Sequence, residues 1–230
     1  MKAIVLSSGG IDSTTCLAMA VKKLGAENVS TLSIFYGQRH AKELNAARAV
    51  AKFYNVTHYE FDAAEIFSRS NSALLDSSSE LPEKTSYAAQ IEKNHSPRIS
   101  TYVPFRNGLM LSIAASLADG LYDDSSVELY IGVHSDDAIS SAYADCRADF
   151  VAAMKAAIRI GTYEKIKLVA PFLCQKKSDV VKVGIELNVP YELTWSCYAG
   201  GDKPCGQCAT CIDRARAFEL NGVKDPCEYR

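Results

Sequence analysis

The sequence predicts an α/β protein: a parallel five-stranded sheet with helices on both faces, plus a small C-terminal cysteine-rich helical module. Three observations predict it. Short apolar runs alternate with segments of helical spacing along most of the 230 residues, as a parallel sheet joined by crossover helices requires. The first apolar run ends in a turn rich in glycine and hydroxyl groups that feeds directly into a helix. Four of the eight cysteines crowd into one short C-terminal stretch.

The elements follow in order. Lys2-Ala3-Ile4-Val5-Leu6 reads as a buried strand, and Thr15 to Ala20 as the first turns of a helix. Val29 to Phe35 is a second strand, and Val56 to Phe61 a third. Between them, His40 to Tyr54 places Leu44, Ala47, Val50 and Ala51 at helical spacing. Ser68 to Ser100 is polar, Ser-rich and weakly periodic, a long loop expected to border a site. Gly108 to Leu121 reads as a buried helix, Val127 to Val133 as a fourth strand and Ile166 to Ala170 as a fifth. Lys177 to Asn188 and Ala209 to Leu220 are helices. No repeat or linker splits the chain. The expected division is residues 1–190 as the α/β domain, with residues 191–230 as a module packed on it.

Composition narrows the function classes. The 48% hydrophobic and 23% charged content is ordinary for a globular protein. A net charge of −2 argues against a broad nucleic-acid-gripping surface. No apolar run approaches the ~20 residues that span a bilayer, and the N-terminus has no signal-peptide layout. The expectation is a cytoplasmic protein, in which cysteines serve metal binding or chemistry rather than disulfides.

The turn Ser7-Ser8-Gly9-Gly10-Ile11-Asp12-Ser13-Thr14 carries the first chemistry. Free amides and the helix dipole favour an anion there, and two glycines let the backbone approach a bulky oxyanion. It has neither the lysine of a Walker A loop nor the spacing of the dinucleotide fingerprint. Ser8, Ser13 and Thr14 offer hydroxyl donors. Asp12, a poor phosphate ligand, suits either a Mg²⁺ partner or an N-cap acceptor. A plain strand–helix turn capped by Asp12 or Ser13 is the competing reading.

Cys197, Cys205, Cys208 and Cys211 carry the second. Four thiolates this close can form a closed tetrahedral shell, the arrangement of structural zinc. Cys205-Gly206-Gln207-Cys208 has the spacing of a metal knuckle, and Cys211 falls in the first turn of the last helix. The rival is an iron–sulfur cluster; Cys197 stands outside the triplet, and no further cysteine follows in ferredoxin spacing. Cys16, Cys146, Cys174 and Cys227 are isolated thiols, with Cys146 in a polar segment.

The S-G-G-x-D-S loop resembles the PP-loop of the ATP pyrophosphatase superfamily. Further blocks narrow the resemblance: Phe35-Tyr36-Gly37-Gln38-Arg39-His40, Thr101-Tyr102-Val103-Pro104-Phe105-Arg106-Asn107, Tyr143-Ala144-Asp145-Cys146-Arg147, Ala170-Pro171-Phe172, and Val189 to Tyr198. Together they are similar to the 7-cyano-7-deazaguanine synthases of queuosine biosynthesis. The chain departs from them in Phe105, where many relatives have Gly, and in a longer Ser68–Ser100 loop.

The resemblance implies an adenine nucleotide alpha-hydrolase-like fold and an ATP-dependent carbon–nitrogen ligase. Its substrates would be 7-carboxy-7-deazaguanine, ATP with Mg²⁺, and ammonia, and its product the nitrile, reached through an adenylated carboxylate and an amide. It also implies a homodimer, one structural Zn²⁺ on the four clustered cysteines, and an ATP segment of Ser7, Ser8, Gly9, Gly10, Ile11, Asp12, Ser13, Thr14, Thr15, Cys16 and Leu17. Arg106 and Arg147 are the candidates for phosphate or carboxylate contacts, because a guanidinium grips either bidentately; a structural ion pair is the alternative for each. Gln38, Asn107 and Asp145 are weaker candidates for reading the guanine-like edge. Tyr36 either packs or stacks on adenine. His40 opens a helix, and Lys176 and Lys177 are left without a role. Two other functions stay in view. A PP-loop enzyme modifying tRNA is disfavoured by the acidic charge and the absence of a basic appendage. A zinc-bearing interaction protein without catalysis is disfavoured by the intact loop.

Overall fold

In the computed structural model, which describes residues 1–39, 41–75, 99–136 and 143–230, five parallel strands form one sheet in the order β3-β2-β1-β4-β5. They are β1 (Lys2–Leu6), β2 (Val29–Phe35), β3 (Thr57–Asp62), β4 (Val127–Tyr130) and β5 (Ile166–Val169). The helices are α1 (Ile11–Leu24), α2 (Lys42–Phe53), α3 (Ala64–Phe67), α4 (Arg106–Leu121), α5 (Ala148–Gly161), α6 (Lys177–Glu186) and α7 (Ala209–Glu219).

β1 is the hub. Ala3 pairs with Val29 on one side and with Glu128 on the other. Its side chains alternate between two cores, as the strand period demands. Ile4 joins Leu32, Leu129, Leu111 and Ala114, the face covered by α4 and α5. Ala3 and Val5 join Leu17, Val50, Val180 and Phe218, the face covered by α1, α2, α6 and α7. Each fully buried Ile or Leu contributes about 1.5–3 kcal/mol. Tyr191, Ala217 and Phe218 belong to this second core, so the C-terminal segment is continuous with the sheet domain. Among the described residues, no helix is long and apolar enough to cross a membrane.

The chain runs outward from β1 to β3, then returns to the other side of β1 as β4. The carboxyl ends of β1 and β4 therefore border the crevice where a parallel sheet reverses direction, the usual ligand site. The fourth strand stops at Tyr130, earlier than expected, so residues 131–136 leave the sheet to line that crevice. The helix α5 was not expected from sequence, although Val151 and Ile158 mark its buried side. His40 and residues 76–98 of the expected polar loop lie outside the described residues.

Two local conformations explain sequence features. α4 starts two residues earlier than expected, after Phe105 in the left-handed region at φ 52°. A residue with a bulky side chain adopts that conformation only with strain. Here the exposed Phe105 ring packs edge-on against Phe150, with centroids 5.8 Å apart. α1 begins at Ile11 with Gly10 as N-cap and no side-chain cap. Asp12 and Ser13 sit inside the first turn, so neither is the helix cap that the sequence left open.

Candidate functional site

A cavity of about 840 Å³ opens at the carboxyl edge of β1 and β4. The Ser7–Ser13 loop forms its floor. The Ser7 N–H donates to the Leu32 carbonyl at 2.8 Å, and the Ser7 carbonyl accepts from Ser33 Oγ at 2.6 Å. The loop backbone is thereby pinned to β2. Ser13 Oγ accepts the Ser8 N–H at 3.2 Å and lies 3.2 Å from Ser8 Oγ, closing the turn on itself. Ser7 Oγ is enclosed without a hydrogen-bond partner among the described residues.

Glycine is required at two points of this floor. Gly9 has φ +76°, and a Cβ there would collide with the Glu43 carbonyl oxygen and the Ala47 nitrogen of α2. A Cβ on Gly132, just beyond β4, would lie 2.8 Å from the Asp12 carbonyl carbon and 2.9 Å from the Ser13 nitrogen. Both neighbouring elements close on the loop at van der Waals contact.

Not all of the expected ATP segment faces the cavity. Ser7, Ser8, Gly10, Asp12 and Ser13 do. Thr14 donates to the Gly10 carbonyl at 2.8 Å, and Thr15 pairs with Tyr191 Oη at 2.8 Å. Ile11, Cys16 and Leu17 are buried in the core, and burial drives the Cys16 thiol far up. These residues hold the loop in place; they do not reach into the crevice.

Asp12 is the electrostatic centre of the floor. Its Oδ2 lies 3.5 Å from Lys177 Nζ at the start of α6, and its Oδ1 lies 3.7 Å from His134 Nε2 beyond β4. Oδ1 is enclosed and accepts no hydrogen bond. Burial raises the carboxyl's pKa, but the charges of Lys177 and His134 outweigh it and hold Asp12 ionised below the usual range. Lys177 is itself fixed through its N–H, which donates to Asp136 Oδ2 at 2.8 Å. The α6 N-terminus is closed by reciprocal bonding between Lys176 and Asp179.

The opposite wall comes from β2 and α4. Arg106 donates to Tyr36 Oη at 3.3 Å and lies 5.1 Å from the centroid of its ring. Tyr36 also packs edge-on to Phe67. Gln38 lines the cavity, and its Oε1 accepts the Tyr36 N–H at 2.9 Å. The pair Asn107 and Asp145 is committed internally: the Asn107 N–H donates to Asp145 Oδ2 at 2.9 Å, and Nδ2 donates to the Asp145 carbonyl and to Cys146 Sγ. Of the two arginine candidates only Arg106 lines the cavity; Arg147 is exposed and pairs bidentately with Asp149 at 3.0 and 2.7 Å.

The four clustered cysteines form the adjoining rim. Their sulfurs all lie within 4.8 Å of one another. A tetrahedral ion with metal–sulfur bonds of about 2.3 Å needs sulfurs about 3.8 Å apart, so the donor set fits one ion with little adjustment. Backbone N–H groups of Cys205, Gln207 and Cys208 point at sulfur: the first at Cys197 Sγ, the others at Cys205 Sγ, at 3.3–3.4 Å. Such donors stabilise thiolates. Trp195, between this cluster and the loop, donates its N–H to the Gly9 carbonyl at 2.8 Å and its Nε1–H to the Cys197 carbonyl at 2.8 Å.

Beneath the module, Arg214 is fully buried. It grips both oxygens of Asp225 at 2.8 and 2.9 Å and also donates to Thr194 Oγ1 and the Tyr191 carbonyl.

This geometry can be set beside known proteins. A family model described as "Queuosine biosynthesis protein QueC" matches residues 2–222. The chain belongs to the QueC family. Among the most similar relatives of this QueC-family chain is a 7-cyano-7-deazaguanine synthase of Archaeoglobus fulgidus. It is 41% identical over 227 residues, 98% of this chain and 89% of the relative. Another, from Caldicellulosiruptor saccharolyticus, is 43% identical over 229 residues, 100% of this chain and 96% of the relative. A solved structure of similar fold is the U34-tRNA thiolase NcsA from Methanococcus maripaludis with its 4Fe–4S cluster. Its TM-score is 0.51 at 15% identity, covering 96% of this chain and 66% of that one.

His134, Asp136, Glu43 and Tyr198 line the cavity without having been singled out from sequence. The available signal was positional for two of them: residues just past a strand's carboxyl end at the reversal point of a parallel sheet belong to the ligand site.

Proposed function

We propose that this cavity is where the chain, an enzyme of the 7-cyano-7-deazaguanine synthase type, converts 7-carboxy-7-deazaguanine, ATP and ammonia to 7-cyano-7-deazaguanine. The observation that carries the reading is the open Ser7–Ser13 loop, pinned to β2 at the sheet's reversal point and facing a cavity large enough for nucleotide and substrate side by side.

The pyrophosphate end of ATP lies in the loop, on the α1 first-turn amides, with Lys177 supplying positive charge beside it. Bound Mg²⁺ would neutralise phosphate charge, and Asp12, with an oxygen that accepts no hydrogen bond, is the residue suited to hold it. Arg106 on the far wall orients the substrate carboxylate toward the α-phosphate. A carboxylate oxygen attacks the α-phosphorus and pyrophosphate leaves. Ammonia adds to the activated carbon, AMP leaves, and the amide remains. Adenylation of the amide oxygen by a second ATP then allows loss of AMP and a proton to give the nitrile. Most of the catalysis is positioning and charge neutralisation.

The ATP site comprises Ser7 to Leu17 in the residue 1–190 domain, with its second half acting as the support described above. Cys197, Cys205, Cys208 and Cys211, in the residue 191–230 module, hold one structural Zn²⁺, which would fix the fold of the rim. The working form is a cytoplasmic homodimer with small-molecule substrates and no nucleic-acid partner. The test is incubation of metal-replete protein with the carboxy compound, ATP, Mg²⁺ and ammonium, with mass detection of products. The nitrile, with AMP and pyrophosphate, is expected; absence of both amide and nitrile rejects the reading. Elemental analysis should give one zinc per chain and no iron.

A further inference from the structure

The chemistry above leaves the carboxyl of Glu43 unused. Glu43 stands in the first turn of α2 and lines the cavity. Its main chain is locked against Gly9, so the turn carrying it and the nucleotide loop are one packed unit. Its carboxyl makes no hydrogen bond and no ion pair among the described residues. The nearest cation, Arg106, is engaged with the Tyr36 ring and hydroxyl instead.

We infer that Glu43 is the proton acceptor for nitrogen in this reaction, the base that frees ammonia from ammonium and later strips the nitrogen-bound proton as the nitrile forms. The inference rests on the function proposed above. Three observations favour Glu43. Its carboxyl faces the cavity within electrostatic reach of Arg106, the residue that orients the substrate carboxyl in the function proposed above. His134, the cavity's imidazole, is turned instead toward Asp12 on the cavity floor. Burial raises the Glu43 carboxyl to about 7, with Arg106 pulling it partly back, so both protonation states are populated at neutral pH. The other charged or titratable groups lining the cavity, among the described residues, are Tyr36, Arg106, Tyr143, Cys146 and Tyr198, Asp12, His134, Asp136, Lys176 and Lys177, and Asp213 and Arg216 of α7.

The steps balance. Ionised Glu43 takes one proton from ammonium, leaving ammonia and a neutral carboxyl. The nitrogen lone pair forms the C–N bond as the C–O bond to AMP breaks; one nitrogen proton and the proton on Glu43 pass to solvent, so the carboxyl is ionised again. A second nitrogen proton passes to solvent as the amide oxygen is adenylated with release of pyrophosphate. After the second adenylation, Glu43 takes the remaining N–H proton while the C–O bond to AMP breaks and the C≡N bond completes.

The test separates activation from nitrogen transfer. Glu43→Gln and Glu43→Asp are compared with the parent in carboxylate-dependent ATP–pyrophosphate exchange, which needs no ammonia, and in amide and nitrile formation followed by mass. Glu43→Gln should keep exchange within about threefold while nitrogen transfer falls about 10²-fold or more. Its pH profile should lose the limb near pH 7 and recover as free ammonia rises at alkaline pH. Glu43→Asp should retain that limb at a reduced rate. Unimpaired nitrogen transfer in Glu43→Gln, or an equal loss of exchange and transfer, would overturn the inference while leaving the proposed function intact. If the parent makes neither amide nor nitrile, the proposed function itself fails, and this assignment with it.

Discussion

Asp12 and Asp225 are both carboxylates held beside a cation, yet their surroundings differ in every other respect. Asp225 has two short, parallel bonds from Arg214, a further donor in Tyr229 Oη and another in the Cys227 N–H. Asp12 meets Lys177 at 3.5 Å and His134 at 3.7 Å, and one of its oxygens accepts nothing. A pair built to hold a fold together fills its bonding capacity, because a buried charge left unpaired is costly. A group built to meet a ligand keeps capacity in reserve, at the expense of local stability. The C-terminal module is of the first kind, and the Ser7–Ser13 loop of the second.

Mutation can break this contrast at several strengths. The largest effect is expected from Cys208→Ser, which removes one of the four thiols proposed to hold zinc. If each donor carries a fair share of the ~10–16 kcal/mol typical of structural zinc, melting should fall by about 10 °C or more and metal should be lost. Unchanged melting and metal content would mean that the cluster is not structural.

Next comes Asp225→Asn, which leaves Arg214 buried and half-satisfied. About 3–5 kcal/mol is expected, read as a melting decrease of about 10 °C with metal still bound. The sign with pH follows. Burial raises Asp225, but the Arg214 bonds outweigh it, so its folded-state pKa lies below the ordinary value. The pair's contribution is fully present above the unfolded carboxylate pKa and disappears as pH falls through the folded one. The parent should therefore lose stability on acidification more steeply than Asp225→Asn does, a difference visible in urea melts between about pH 6 and pH 3.

Asp12→Asn should invert the pattern. Stability should change by no more than about 1 kcal/mol, whereas carboxylate-dependent pyrophosphate exchange should drop about 10²-fold or more. A variant that melts lower yet exchanges normally would make Asp12 a structural residue after all. The smallest effect belongs to Arg147→Ala: its guanidinium sits in solvent against Asp149, so neither melting nor the KM for ATP should move measurably.

What was legible in the sequence is uneven for physical reasons. Strand positions were clear because β1 is buried on both faces and reads as an apolar run, and β2, equally buried, is rich in β-branched and aromatic residues. The cysteine site was clear because its donors are close in sequence. The helix α5 was not, because only two of its fourteen residues are buried and its alanines and lone charges blur the pattern. Asp12's partners were hidden because His134 follows β4 and Lys177 follows β5, far from Asp12 in sequence and joined to it only by the fold. Arg106 and Arg147 looked alike in sequence. One follows a left-handed residue that turns it inward at the start of α4, while the other meets an acidic neighbour two positions on.

The bond from the Trp195 N–H to the Gly9 carbonyl sets a timetable for the molecule. The loop is synthesised well before its brace and before Tyr191 and Phe218, which cover the β1 face. Until then the loop lacks one of its braces and the β1 face part of its cover. A fragment ending at Val189 should show no nucleotide-dependent protection from proteolysis, where the full chain does. Order of manufacture and order of completion run in opposite directions here, so a half-made copy is a poor consumer of ATP.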